Sequence, residues 1–192
     1  YDISLGLVGS EMCIRDRLNR CQKRKKEHPY RYDREETKEI KPQKLIEEVG
    51  RLTKEEAVIV TDVGQHQMWV AQYYPFRFPK QLITSGGLGT MGYGIPAGIG
   101  AKFACPEKTI VVFVGDGGFQ MTNQEFALLN DYGLDVKFIL MNNRSLGMVR
   151  QWQETFHNER RSASVFAKQP NFGQLAEAYG INSVRIETPD QL

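Results

Sequence analysis

Short apolar runs and longer amphipathic stretches alternate along this chain. Runs at residues 57–61, 82–84, 109–114 and 136–141 carry β-branched and bulky side chains with almost no polar interruption. Such runs read as strands covered on both faces, as in a parallel sheet, whereas apolar residues every three or four positions read as helices. Pro42 stands at a first helical position, and Leu45, Ile46, Val49 and Leu52 fall on one face behind it. Strand 57–61 continues through Asp62 and Val63 into a helix that includes Gln65 to Trp69. After strand 82–84 comes a glycine-rich stretch, 85–97, ahead of another helix. Strand 109–114 meets Gly115-Asp116-Gly117-Gly118. Thr122 and Glu125 then have capping-box spacing, opening a helix with Phe126, Leu128 and Leu129 inward and Gly133 at its end. Strand 136–141 stops at Asn142-Asn143. A last helix at 171–179, with Phe172, Leu175 and Ala176 inward, and a last strand at 181–186 complete the pattern.

Strands alternating with helices predict an α/β fold, a doubly wound parallel sheet with helices on both faces. Right-handed crossovers place the carboxyl ends of its strands on one edge, so Asp116 and Asn143 face one crevice, with Gln65 and His66 on the same edge.

The ends of the chain depart from this pattern. Residues 1–17 fit nothing that follows, and VGSEMCIRDR resembles the translation of a sequencing-library adaptor. On that reading 1–17 is a non-native leader, 18–41 a charged linker whose helix ends before Pro29, and 42–192 the binding domain, cut short near Leu192. Residues 155–167 are polar and basic and predict an exposed, movable segment.

Composition narrows the function classes. A chain of 192 residues with 41% apolar content suits one domain, and a formal net charge of +2 gives neither a nucleic-acid footprint nor a polybasic membrane patch. No apolar run reaches transmembrane length. Cys13, Cys21 and Cys105 lack metal-ligand spacing and favour a reducing compartment.

The candidate chemistry lies at the strand ends. Asp116 and Asn143 offer hard oxygen ligands, too few for a divalent ion by themselves but suited to magnesium that also takes phosphate oxygens. The neighbouring glycines let backbone N–H groups approach phosphates closely. Gln65 and His66 at a helix start are either surface residues or part of an anion site. The glycines of 85–97 imply close packing against a helix or a flat ligand. Met91 by itself reads as a core methionine, and Trp152 as a helix-face aromatic.

GDGGFQMTNQEFALL followed by LMNNRSLGMVRQWQ resembles the large catalytic subunits of the acetolactate synthase family, thiamine-diphosphate enzymes, and the likeness covers residues 18–192. The resemblance implies the thiamine-diphosphate-binding fold, with Gly64, Gln65 and His66 at the diphosphate. Asp116 and Asn143, with the Ser145 carbonyl, would ligate Mg2+ among Gly115, Gly117 and Gly118. Gly89 and Met91 would lie against the cofactor, Met91 holding it bent, while Leu146, Gly147, Met148 and Val149 border it and Trp152 lines the substrate channel. It further implies condensation of pyruvate with pyruvate or 2-oxobutyrate in branched-chain amino-acid biosynthesis, and FAD in the full-length enzyme. A homodimer or tetramer would form through the cofactor site, with a regulatory small subunit as a further partner. The activating glutamate belongs to a pyrimidine-binding domain of a partner subunit, so no catalytic residue is assigned here, the fragment is expected to bind thiamine diphosphate and Mg2+ but to be inactive alone, and Glu125 is explained by its cap. The bacterial cytoplasm is the default location; a plastid form would carry its address upstream. A glyoxylate carboligase or pyruvate oxidase shares the metal motif, although GQHQMW and GMVRQW speak against both. A non-catalytic cofactor-binding module is the third reading.

Overall fold

Parallel pairing of four short strands sets the architecture, and the computed structural model describes residues 11–34 and 38–192. The chain divides into two units, residues 1–35 and 36–192. The first carries α1 (Glu11–Glu27), solvent-exposed from Ile14 onward, with Arg24, Lys25 and Lys26 in the last turn where cations complement the helix dipole. The helix ends before Pro29, as the sequence predicts, and runs without a break across Arg17 and Leu18. Of the leader expected at 1–17, residues 1–10 lie outside the described residues.

The second unit contains α2 (Pro42–Leu52), β1 (Val58–Thr61), α3 (Gln65–Tyr73), β2 (Leu82–Thr84), α4 (Gly94–Ala104) and β3 (Ile110–Gly115). It continues with α5 (Asp116–Thr122), α6 (Phe126–Asp131), β4 (Val136–Met141), α7 (Gly147–Phe156) and α8 (Phe172–Ala178). The sheet order is β2-β1-β3-β4, all parallel, with Val60 opposite Ile83 on one side and Val112 on the other.

Alternation along β1 and β3 sorts the core into two layers, as side chains of period two must. Ile59, Val111 and Phe113 pack with Ile46 and Val49 of α2 and Val70 of α3. On the opposite face, Val58, Val60, Ile110 and Val112 pack with Ala101 of α4, and Val114 joins Ile95, Ile99 and the Phe119–Phe126 pair of α5 and α6. Leu52, expected on the inner face of α2, is exposed at that helix's final residue.

Three sequence expectations need correction. The helix after β3 opens at Asp116 itself, and no capping box forms at Thr122 and Glu125. The Thr122 hydroxyl instead donates to the Gly92 carbonyl at 2.9 Å, and a 3-10 turn, Asn123–Glu125, separates α5 from α6. Residues 181–186 make no strand: Asn182, Ser183 and Arg185 interrupt the apolar positions, and Val184 is 87% exposed. With no ladder beyond it among the described residues, β4 is an edge strand with half-buried side chains, not the fully buried run its sequence suggests.

Gly98 lets α4 lie on the sheet, because a Cβ there would stand 2.3 Å from Val112 Cγ2. Gly98→Ala therefore overpacks a rigid core contact and should lower stability by about 1–3 kcal/mol in urea unfolding. An unchanged midpoint would mean that α4 can lift off β3 freely.

Candidate functional site

Strand order places the site before any side chain is considered. The chain passes from β1 to β2 on one side, then returns over β1 to β3, so the winding reverses between β1 and β3. In open parallel sheets ligands bind outside the carboxyl ends of the strands at such a switch point. Asp62 is the first residue after β1 and Asp116 the first after β3, where it opens α5, and each is almost completely buried.

One cavity at this edge is lined by Gly64, Gln65 and His66 after β1, Gly89 and Met91 before α4, and Gly115, Asp116, Gly117 and Gly118 after β3. Asn143, Ser145, Leu146, Gly147, Met148 and Val149 after β4 line it as well. The structure thus brings together the residues singled out from the sequence, with one exception. Trp152 does not line the cavity; it is 63% exposed on α7 and packs edge-to-face on Phe156 with ring centroids 5.3 Å apart.

Asp116 begins α5. Its Oδ1 accepts the Gly117 N–H at 3.0 Å and its Oδ2 accepts Gln169 Nε2 at 2.5 Å. Burial pushes its carboxyl above the usual range, and the bonds from Gln169, Gly117 and the Arg144 backbone N–H oppose that rise only in part. Asn143 uses Oδ1 to accept both the N–H and the hydroxyl of Ser145, at 3.0 and 3.1 Å. Its Nδ2 reaches Gln65 Oε1 at 3.4 Å, and Gln65 Nε2 donates to Gln151 at 3.1 Å. A Cβ at Gly147 would meet Gln65 Oε1 at 2.2 Å, so the glycine there is what admits the glutamine. Arg144 takes a left-handed φ of 55° between the two asparagines and Ser145, backbone strain of the kind that collects at functional sites.

His66 lies between glycines, with the position of a Gly64 Cβ only 2.9 Å from its ring and that of a Gly115 Cβ 3.2 Å away. Burial lowers its pKa from 6.5 to about 4 despite the nearby Asp62 charge and a bond to the Asp62 backbone, so the imidazole is neutral at pH 7. Its Nε2 has no hydrogen-bond partner among the described residues. The polar stretch expected to be exposed is only partly so. Ser164 is buried, Leu146 N–H donates to its carbonyl at 2.9 Å, and Phe166 N–H donates to the Arg144 carbonyl at 2.9 Å.

Two residues of the site were not anticipated. Asp62 follows its strand as Asp116 follows β3, and that shared position was an available signal. Gln169, remote in sequence and followed by Pro170, offered none.

His66 generates a pH prediction. Its folded pKa is depressed, so below 6.5 the unfolded chain takes up a proton that the folded chain refuses. Stability should fall between pH 6.5 and about 4, by about 3 kcal/mol in total from this group. Urea midpoints of wild type and His66→Gln across that range should show a shallower decline in the variant; parallel declines would contradict the burial argument.

The family model for the thiamine pyrophosphate enzyme C-terminal TPP-binding domain matches residues 62–192. The acetolactate synthase large subunit of Lactococcus lactis subsp. lactis (strain IL1403) is 60% identical over 177 residues, which is 92% of this chain and 31% of that protein. The large subunit of Haemophilus influenzae is 49% identical over 153 residues (80% and 27%), and that of acetolactate synthase isozyme 3 of Escherichia coli (strain K12) 46% over 179 residues (93% and 31%). The chain thus spans about a third of the length of these relatives. With the switch-point cavity and the matched family model together, the chain belongs to the thiamine pyrophosphate enzymes, as a carrier of their C-terminal TPP-binding domain.

Proposed function

We propose that this chain is the cofactor-binding part of an acetolactate synthase, condensing pyruvate with a second pyruvate or with 2-oxobutyrate. The observation that carries the reading is Asp116, a buried carboxylate at the switch point that is met by amide donors but by no cationic side chain among the described residues. Buried carboxylates are ordinarily paired with a cation or saturated with donors. Among the described residues no three His, Cys, Asp or Glu side chains cluster as a metal site, while Asp116 and Asn143 offer hard oxygens that phosphate oxygens of a ligand would complement. The donor set therefore fits Mg2+ held on a diphosphate.

Asp116 and the Asn143 side chain, with the Ser145 carbonyl, are the protein ligands in this reading. Gln65 and His66 serve the diphosphate, His66 as a neutral ring with a free nitrogen. Met91, Leu146, Met148 and Val149 make the apolar wall that keeps water from the cofactor's rings, and Gly89 lets the chain pass close to it. Bound thiamine diphosphate supplies the electron sink for decarboxylating one 2-oxo acid and joining the remainder to another. Trp152, exposed on α7, borders the path of substrate. The base partner of the cofactor, a glutamate, comes from a second subunit, so the working form is an oligomer assembled over this edge.

Asp116→Asn in the full-length protein separates ligand binding from stability. Since burial raises the Asp116 pKa, its proton is favoured in the fold. The carboxyl's contribution is full below its ordinary value of 3.8 and lost as pH rises through the folded pKa. At pH 7 the ionised group burdens the unloaded fold, so the fall of the urea midpoint with rising pH should be shallower in the variant. The variant should also lose Mg2+-dependent quenching of tryptophan fluorescence by thiamine diphosphate. Normal saturation by metal and cofactor would refute the assignment.

A further inference from the structure

Asp62 is fully buried at the end of β1, and the mechanism above gives it no task. Its Oδ1 accepts the Val63 N–H at 2.8 Å and the Gly92 N–H at 3.1 Å, and its Oδ2 accepts the Gly94 N–H at 2.7 Å. Three N–H donors suit a carboxylate, which is acceptor-only; an amide of the same size must turn an N–H toward one of them. The start of α5 closes on the same group, since a Cβ at Gly118 would stand 2.2 Å from Asp62 Oδ1.

Gly92 is held from its other side as well. Its carbonyl accepts the Thr122 hydroxyl at 2.9 Å, and its φ of +84° makes glycine the natural residue at this turn. The residue before it is Met91, whose Cε would lie 3.3 Å from a Cβ on Gly117, next to the metal carboxylate. Gly92, the residue that follows Met91, is thus held between Asp62 after β1 and Thr122 at the end of α5.

We propose that Asp62 and Thr122 are positioning residues that clamp Gly92 from both sides and so set where Met91 stands against the thiamine cofactor. The inference rests on the functional reading above, and it separates two tasks within one site. Asp116 and Asn143 hold the diphosphate end through the metal, while Asp62 and Thr122 govern the shape of the ring end through Met91. Neither is a catalytic residue.

The test uses the full-length protein and two readouts: exchange of the thiazolium C2 proton of bound cofactor with solvent deuterium, and affinity for Mg2+ with inorganic diphosphate, which lacks the rings. Small misplacements at a reacting centre are expensive, so Asp62→Asn should slow exchange at saturating cofactor by about 10- to 100-fold and leave diphosphate affinity within about twofold. Thr122→Val should slow it in the same direction, and it carries the test alone if the Asp62 variant fails to fold. Combining either variant with Met91→Ala should give no further slowing beyond Met91→Ala, because both act through that side chain. Unchanged exchange, a parallel loss of diphosphate affinity, or additive effects with Met91→Ala would overturn the proposal. A wild type that binds no magnesium and thiamine diphosphate would sink the functional reading together with this inference, whereas a binding wild type with unaltered variants would sink this inference alone.

Discussion

A carboxylate buried at the end of a parallel strand must find donors or a cation, and this domain meets that requirement twice, on adjacent strands and with different donor sets. Asp62, after β1, is saturated by backbone N–H groups from its own loop and from the start of α4. Asp116, after β3, accepts the Gly117 N–H, the Arg144 backbone N–H and the side-chain amide of Gln169, yet burial still raises its pKa. The first holds the strand-end loops together. The second keeps a raised pKa despite its donors, and a cation beside it would offset that burial.

The cavity carries three features that an unloaded fold would do better without. Arg144 sits in a left-handed conformation, His66 is neutral and leaves a ring nitrogen unpartnered, and Asp116 faces a neutral amide. Strain and imperfect pairing persist where the surrounding structure over-determines them. Here the surround is the two-layered core of β1 and β3, whose side chains are nearly all buried. A ligand that relieves those burdens stabilises the folded state by mass action, so binding and stability are linked through the same few residues.

Much of this was legible in the chain. The apolar runs at β1, β3 and β4 were found within a residue because β-branched stretches between glycines leave few alternatives, and Pro42 marked the start of α2. The strand-end motif brought Asp116 and Asn143 to one edge for the same reason. What escaped depends on partners remote in sequence. Thr122 and Glu125 have the spacing of a cap, yet the hydroxyl is taken by Gly92, 30 residues earlier. The apolar positions of 181–186 suggested a strand, but a strand exists only with a neighbour to pair with. Asp62 and Asp116 share one local pattern, an acid following an apolar run; their different roles are decided by Gly92, Gly94 and Gln169, which no short window contains.

The most direct measurement is a crystal of the full-length protein grown with Mn2+ and thiamine diphosphate, with the metal located by its anomalous scattering. The account predicts a single site within ligand distance of an Asp116 carboxylate oxygen and Asn143 Oδ1, with the Gln169 amide no longer bonded to Asp116. Metal elsewhere in the cavity, or cofactor bound with Gln169 still on Asp116, would contradict it.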